Sequence, residues 1–362
     1  MSACGGATAA AKPVPLATQP ALAFASAPAA SVVPGCHHED TLDRAAARLL
    51  VPDVVSTKAA LTSARVEAAL RMERAWEVWP RALRIEQASG SDDGARVHAW
   101  LAALPFSARC GSARRALPGG LEAVIYLSAE HLVEGVPPPL EARTGQWINL
   151  DVMLPKEASA PRAYVAGPDG RARALSVVVS GANARARFVL GAPGRFSVQW
   201  TADLGVGPRP VMESWVFADV RASEPELSEA AREPGARNTK IDLRALLGEA
   251  RRASNLQQLS PDASLDKVAQ AHANAMARAQ ILAHELAGLT PSMRLDAAHI
   301  VWTKSGENVA HAATEESAHE ALLRSPSHRE NMMSAEYTHI GIGLSADPHG
   351  DGVWACEVFV RR

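Results

Sequence analysis

The sequence predicts a multidomain protein with three folded parts: an N-terminal α+β unit rich in helix, a central antiparallel β-sandwich, and a C-terminal domain of helices and strands. The chain has 362 residues, whereas one domain usually has roughly 100 to 200. The spacing of apolar residues changes from three or four to two near residue 144, and returns to three or four beyond residue 240. We place the boundaries as follows: a tether at 1–40, the parts at 41–135, 136–221 and 241–362, and an acidic, proline-containing linker at 222–240.

Composition indicates a soluble globular protein. Hydrophobic residues make up 47% of the chain, charged residues 21%, and the formal net charge is −2. Such a balance gives no electrostatic reason to expect a nucleic-acid partner or an anionic membrane surface. Histidine is concentrated in the last third of the chain, at His272, His284, His299, His311, His319, His328, His339 and His349. We therefore expect any histidine chemistry there.

The N-terminal tether begins Met1-Ser2-Ala3-Cys4-Gly5-Gly6 and continues as an Ala/Pro/Ser/Thr-rich run without an apolar stretch long enough to span a bilayer. Small residues before a cysteine, followed by a polar tether, resemble the end of a bacterial lipoprotein signal. The resemblance implies a lipid on Cys4, a true start codon upstream, and a lipid-anchored or secreted protein of the cell envelope. Membrane contact would then occur only through that anchor. The alternative is a cytoplasmic protein that starts as written.

Three other cysteines, Cys36, Cys110 and Cys356, are too few and too scattered for a disulfide framework or a thiolate zinc site. If the chain is exported, Cys36 can pair with Cys110. Cys356 lies in an alternating strand pattern, so we expect it to pack as a small buried apolar side chain.

The N-terminal unit is predicted to contain helices over 41–50 and 56–79. The second carries an apolar stripe at steps of three and four, stopped by Pro80: Leu61, Ala64, Ala68, Met72, Trp76 and Trp79. The apolar segment 97–106 and the strand-like segment 121–127 can cover that stripe. We interpret it as core and assign the unit no function.

The central part is predicted to consist of half-buried strands, since apolar and polar residues alternate over 148–154 and 196–200. Turn signals lie between them at 167–170, 180–183 and 191–194. This spacing is typical of an immunoglobulin-like sandwich. The lack of clustered titratable residues favours a spacer or adhesive role.

In the C-terminal part, Ser260-Pro261-Asp262 predicts the start of a long helix, and Thr314 with its following acids predicts another. Ser325 as N-cap and Pro326 at the first helical position place His328 in the third position of a short helix. Alternating segments over 337–344 and 353–360 predict a hairpin. Glycines 341 and 343 would let another backbone lie close to it.

Three motifs in this region name a family: Gly306-Glu307-Asn308, Ser325-Pro326-Ser327-His328-Arg329-Glu330-Asn331, and the glycine-alternating run from Tyr337 to Leu344. They resemble the bacterial form of the CAP superfamily, the cysteine-rich secretory, antigen 5 and pathogenesis-related (SCP) domain, over about 120 of 362 residues. The resemblance implies an α-β-α sandwich with two cavity histidines, His284 and His328, and Glu307 beside them. Their separations of 23 and 21 residues form no local ligand motif, so their proximity is implied by the resemblance alone.

Two imidazoles and one carboxylate can hold Zn²⁺ and leave a fourth position open. They can equally form a hydrogen-bonded cluster in which Glu307 accepts from a protonated histidine. Asn308, Ser325 and Glu320 are predicted to line the cavity. His311 and His319 are expected to be solvated surface residues.

Many eukaryotic relatives have a second glutamate before the second histidine, but the matching stretch here is Leu322-Leu323-Arg324-Ser325, with Glu320 as the nearest acid. Acid and base catalysis by paired carboxylates therefore lacks one partner. Three hypotheses stay open: a surface or secreted protein whose cavity binds a small molecule, lipid or cell-wall component, with or without zinc; a metal-dependent, peptidase-like hydrolase using the same cavity; and a structural or adhesion protein. Whether the protein is an enzyme is left undecided.

Overall fold

The computed structural model describes residues 36–50, 61–102, 104–105, 107–222, 242–348 and 352–362. Several predictions lie outside those residues: lipid attachment at Cys4, almost all of the tether and the linker, the start of the second helix, and the tip of the last hairpin. Over the part of the chain that is described, no helix combines the length and the apolar character needed to cross a membrane.

The N-terminal unit packs two helices on a four-stranded sheet. Its elements are β1 (His37–His38), α1 (Asp40–Leu49), α2 (Ser63–Met72), β2 (Val78–Ala88), α3 (Gly94–Leu101), β3 (Ala108–Leu117) and β4 (Leu121–Glu130). The strand order is β1-β3-β4-β2. Helices α1 and α2 bury Leu42 and Leu70 against Ile125 of the sheet. A disulfide joins Cys36 to Cys110, the pairing considered for an exported chain.

The predicted helix over 56–79 is wrong beyond Met72. Helix α2 ends there, Arg74 adopts a left-handed φ of 61°, and Trp79 lies in strand β2. Trp76 keeps the helical spacing in the sequence, yet its side chain packs into the core of the central part. Tertiary burial of this tryptophan therefore overrides the local periodicity.

The central part consists of two sheets around one core. Its strands are β5 (Glu134–Gly135), β6 (Glu141–Ala142), β7 (Trp147–Met153), β8 (Ser159–Ala166), β9 (Ala172–Leu175), β10 (Val177–Ser180), β11 (Asn183–Val189), β12 (Gly194–Asp203) and β13 (Pro208–Ala218). The sheet orders are β10-β11-β7-β5 and β6-β13-β12-β8-β9. Leu150, Phe188 and Trp200 fill the space between the sheets. The alternation predicted for 148–154 is confirmed, because inward residues of β7 are buried and outward ones exposed.

The N-terminal and central parts share packing. Strand β5 pairs with β7 although it precedes residue 136, and Trp215 and Phe217 of β13 pack into the core of the N-terminal unit. The two parts therefore support each other through both cores.

The C-terminal domain places helices on both faces of a sheet. Its elements are α4 (Leu243–Ala253), β14 (Ser260–Pro261), α5 (Ala263–Ala279), α6 (Pro291–Ala297), β15 (Lys304–Ala312), α7 (Glu315–Arg324), α8 (Pro326–Met332), β16 (His339–Ala346) and β17 (Val353–Arg361). The strand order is β14-β16-β17-β15, which leaves β15 at an edge. Helices α5 and α6 cover one face, and α4, α7 and α8 cover the other. Asp262 caps α5 by accepting from the amides of Ser264 and Leu265, as predicted.

Helix α5 lies directly on strand β16 at two glycines. A Cβ added to Gly341 would lie 2.2 Å from the Leu265 carbonyl carbon, and one added to Gly343 would lie 2.2 Å from the Gln270 nitrogen. Both contacts are to backbone, which cannot rotate away. The expectation that these glycines permit close approach is confirmed.

Replacing Gly343 by alanine should therefore lower the free energy of unfolding by about 3 kcal/mol, because α5 must move off the sheet. Urea denaturation of the full chain measures this. Gly191→Ala is the matched control, since a Cβ at Gly191 meets nothing within 4 Å. Equal midpoints for the two variants would contradict this packing.

Candidate functional site

The site is built around Glu307 on the edge strand β15. Its Oε1 accepts a hydrogen bond from His284 Nδ1 at 3.0 Å, and its Oε2 accepts from Arg294 Nη2 at 2.5 Å. The Glu307 side chain is only 2% exposed. Burial raises the pKa of Glu307, but the hydrogen bond from His284 and the charges of His284 and Arg294 outweigh it and hold that pKa below its ordinary value. The carboxylate is therefore ionised and fixed by donors at both oxygens.

His284 lies in the loop after α5, where Glu307 sets its orientation. With Nδ1 as the donor to the carboxylate, the neutral form of the ring has its lone pair on Nε2. The Arg294 guanidinium also donates to the His284 carbonyl oxygen, at 3.1 Å from each of two nitrogens. One arginine thus fixes both the backbone of His284 and the carboxylate that orients its ring.

His328 approaches the same edge from the opposite face of the sheet. Helix α8 begins at Pro326, so His328 occupies the third helical position, as predicted. Its ring centroid lies 6.4 Å from that of His284, with the planes tilted by 40°. Burial, together with the nearby His284, lowers the pKa of His328 to about 3. The imidazole is therefore neutral near pH 7, with a lone pair available to a ligand.

Asn308 lies behind His328. Its Nδ2 donates to the His328 carbonyl oxygen at 3.2 Å and to Glu357 Oε2 at 3.0 Å, and its Oδ1 accepts from Asn331 at 3.0 Å. Asn308 and Glu357 are fully buried. Burial raises the pKa of Glu357 to about 7. This network fixes the backbone that carries the second histidine.

The other two residues predicted to line the cavity make different contacts. Ser325 Oγ accepts from Gln199 of the central part at 3.0 Å. Glu320 is 44% exposed and lies 3.8 Å from Arg324 on the same helix. Among the contacts of the described residues, neither side chain reaches His284, Glu307 or His328.

Sequence reasoning assigned neither Arg294 nor His272 to the site. His272 is buried on α5, donates to the Ala283 carbonyl oxygen at 2.9 Å, and lies 3.8 Å from Glu307 Oε1. Burial lowers the pKa of His272. The sequence separation of 13 between Arg294 and Glu307 carries no periodic signal that could have linked them.

The prediction that His311 is a solvated surface residue is confirmed, whereas the same prediction for His319 is wrong. His311 is exposed and stacks on Trp354 at 4.1 Å. His319 is only 6% exposed, because it shares the inner face of α7 with Ala318 and Leu322. Its three-residue spacing from Leu322 was the signal for burial.

His319 should make the protein acid-sensitive. Burial lowers its pKa from 6.5 to about 4. Between these pH values the side chain is protonated in the unfolded chain and neutral in the folded chain. Stability is therefore lost as the pH falls from 6.5 to 4, by up to about 3 kcal/mol. Urea denaturation against pH should show a flatter profile for His319→Leu than for the wild type. His311→Leu is the control, and a wild-type slope in His319→Leu would exclude this origin.

A metal ion fits a pair of ligands, His284 and His328, better than a set of three that includes Glu307. Both oxygens of Glu307 accept bonds from donors, so this carboxylate orients His284 rather than standing free as a ligand. Among the described residues, three potential metal ligands whose ligand atoms all lie within 4.8 Å of one another occur elsewhere, in the N-terminal unit. They are His38, Asp40 and Asp43. We therefore take His284 Nε2 and a ring nitrogen of His328 as the candidate metal ligands.

The fold and the site together define a domain with helices on both faces of one sheet and paired histidines beside a carboxylate at its edge. The profile of the cysteine-rich secretory protein family, CAP, matches residues 245–358. An uncharacterized protein of Borreliella burgdorferi is 30% identical over 107 residues, which is 29% of this chain and 69% of that protein. The chain belongs to the cysteine-rich secretory protein (CAP) family, as the sequence motifs implied.

Two of the solved structures similar to part of this chain come from bacteria. An outer surface protein of Borrelia burgdorferi is 26% identical, with a TM-score of 0.32, and the match covers 34% of this chain and 98% of that one. An extracellular protein containing a SCP domain from Bacillus anthracis is 19% identical, with a TM-score of 0.31, over 52% of this chain and 68% of that one.

Proposed function

We propose that this protein is a surface or secreted CAP protein that binds a divalent cation such as Zn²⁺ through His284 Nε2 and His328, and presents it to a ligand. The observation that supports this most is the 3.0 Å bond from His284 Nδ1 to Glu307. A carboxylate behind a histidine fixes its tautomer and strengthens its free nitrogen as a metal ligand.

The charge of such a site indicates the class of ligand. The His328 imidazole is neutral, and the nearby Glu307 charge is already balanced by Arg294. A bound divalent cation would keep its own charge and favour an anionic oxygen from outside. We propose a small molecule, lipid or cell-wall component that bears a phosphate or carboxylate.

Binding is favoured over hydrolysis. Glu307 accepts bonds at both oxygens, and its pKa is held below the ordinary value, which makes this carboxylate a weak general base. Glu320, the nearest acid in the sequence comparison, is exposed and pairs with Arg324. The carboxylate pair that acid and base catalysis needs is not assembled from these two residues.

A location outside the cytoplasm is part of the proposal. The disulfide between Cys36 and Cys110 belongs to the type of bond that persists in oxidising compartments. We propose that Cys4 is lipidated and that the central part is an immunoglobulin-like sandwich that supports the C-terminal domain. A diacylglycerol-modified N-terminal peptide, sought by mass spectrometry of protein from its host, tests the anchor; an unmodified Cys4 peptide would contradict it.

Sedimentation with vesicles tests the ligand class. The zinc-loaded full chain should bind phosphatidylglycerol vesicles with a dissociation constant about tenfold lower than for phosphatidylcholine vesicles. A chelator should remove this difference. Cell-wall sacculi in place of vesicles separate a lipid ligand from a wall ligand. Equal binding with and without the chelator would contradict presentation of a cation.

A further inference from the structure

The central part reaches into the histidine site through Gln199 of strand β12. Gln199 is completely buried. Its Oε1 accepts from the backbone amide of Ser327 at 3.0 Å, and its Nε2 donates to Ser325 Oγ at 3.0 Å. Ser327 immediately precedes His328, so this side chain contacts the start of the helix that carries the second histidine.

That contact supplies a partner at the N-terminus of helix α8. The first amides of a helix have no partner inside it and are usually satisfied by a capping side chain. Ser325, at the N-cap of α8, makes no such bond. Gln199 satisfies the Ser327 amide from a different part of the chain.

A second contact fastens α8 just beyond the histidine. Arg329 donates to the carbonyl oxygen of Gly170, in the turn between β8 and β9, and also to the Leu323 carbonyl oxygen at 3.1 Å. The central part therefore holds α8 on both sides of His328.

The same part of the molecule also contacts the first histidine. The turn between β12 and β13 accepts a bond at the Val206 carbonyl oxygen from the Glu285 amide, at 3.2 Å. A Cβ added to the neighbouring Gly207 would lie 2.9 Å from His284 Cβ. Both histidines are thus packed against one domain that lies outside the family match.

Gln199 is itself held by charged groups. Its Nε2 donates to Glu213 Oε1 at 2.6 Å, and Glu213 Oε2 accepts from Arg71 Nη2 at 3.0 Å. The Arg71 side chain is fully buried on α2 of the N-terminal unit. A continuous series of hydrogen bonds therefore runs from that unit through the central part to the amide before His328.

We propose that the central part positions the histidine pair. Gln199 is a positioning residue that fixes the place of α8, and the turn 204–207 is the surface against which His284 packs. This inference rests on the proposed cation site for its functional consequence. It gives the three folded parts a common purpose, because the spacing of the two rings depends on all of them.

Gln199→Leu in the full chain tests the proposal, since leucine fills the space but makes none of the hydrogen bonds. Hydrogen exchange of amides 327–332, without metal, should be about tenfold faster, and the zinc dissociation constant should rise about tenfold, as for loss of a supporting partner. Gln146→Leu is the control, because Gln146 is exposed and its side chain, among the described contacts, accepts from the nearby Arg143 amide. Unchanged exchange in α5 reports an intact fold.

Each outcome decides the proposal. Unchanged exchange of amides 327–332 would overturn it, and so would faster exchange with unchanged zinc affinity. If the wild type binds no zinc, the proposed function fails separately. The positioning proposal is then tested by the distance between the His284 and His328 rings, measured by NMR in the wild type and in Gln199→Leu. An equal distance in the two proteins would overturn it. Should Gln199→Leu not fold, Ser325→Ala, which removes one of the same bonds, undergoes the same measurements.

Discussion

Replacing Glu307 by leucine should lower the free energy of unfolding by about 4 kcal/mol, the cost of leaving one partner of a buried ion pair uncompensated. The variant removes the carboxylate that pairs with Arg294 and accepts from His284 Nδ1, in a place where the Arg294 side chain is only 10% exposed. Urea denaturation measures the loss. The same variant should weaken zinc binding by roughly 10 to 100-fold, because His284 loses the group that orients it.

A second variant separates the charge from the packing. Adding Arg294→Met to Glu307→Leu removes both charges, and a buried pair replaced by apolar groups is often close to neutral. The double variant should therefore recover most of the stability lost by Glu307→Leu while zinc binding stays weak. If Glu307→Leu alone were as stable as the wild type, the ion pair would not organise this site.

Replacing His328 by alanine should abolish zinc binding and leave the free energy of unfolding within about 1 kcal/mol of the wild type. The backbone of α8 keeps its bonds from Asn308 to the His328 carbonyl oxygen and from Ser327 to Gln199, and alanine is the best helix former. Calorimetric titration of the metal-stripped full chain measures the affinity. His311→Ala, at an exposed position, should bind as the wild type does. Unfolding of His328→Ala would instead indicate a structural network, and retained binding would exclude His328 as a ligand.

Local sequence signals predicted the parts of the site that depend on neighbouring residues. Ser325 and Pro326 fixed the start of α8 and hence the position of His328, while Asp262 fixed the start of α5. Gly343 marked the contact between helix and sheet. In each case backbone chemistry within a few residues determines the result.

Contacts between distant segments could not be predicted in this way. Arg294 meets Glu307 and Gln199 meets Ser327 across 13 and 128 residues, respectively, and neither distance has a periodic signature. At Trp76 a local signal was present but misleading, because the helical spacing of apolar residues continues in the sequence after helix α2 has ended. The sequence therefore indicates which side chains have suitable chemistry, and the tertiary structure decides which of them meet.

An anomalous difference map at the zinc edge, from crystals of the zinc-loaded full chain, tests the central claim most directly. The proposed site predicts one peak about 2.0 Å from His284 Nε2 and from a ring nitrogen of His328, with Glu307 still bonded to His284 Nδ1. A peak at His38, Asp40 and Asp43 instead, or no peak between the two rings, would contradict a cation site in the CAP domain.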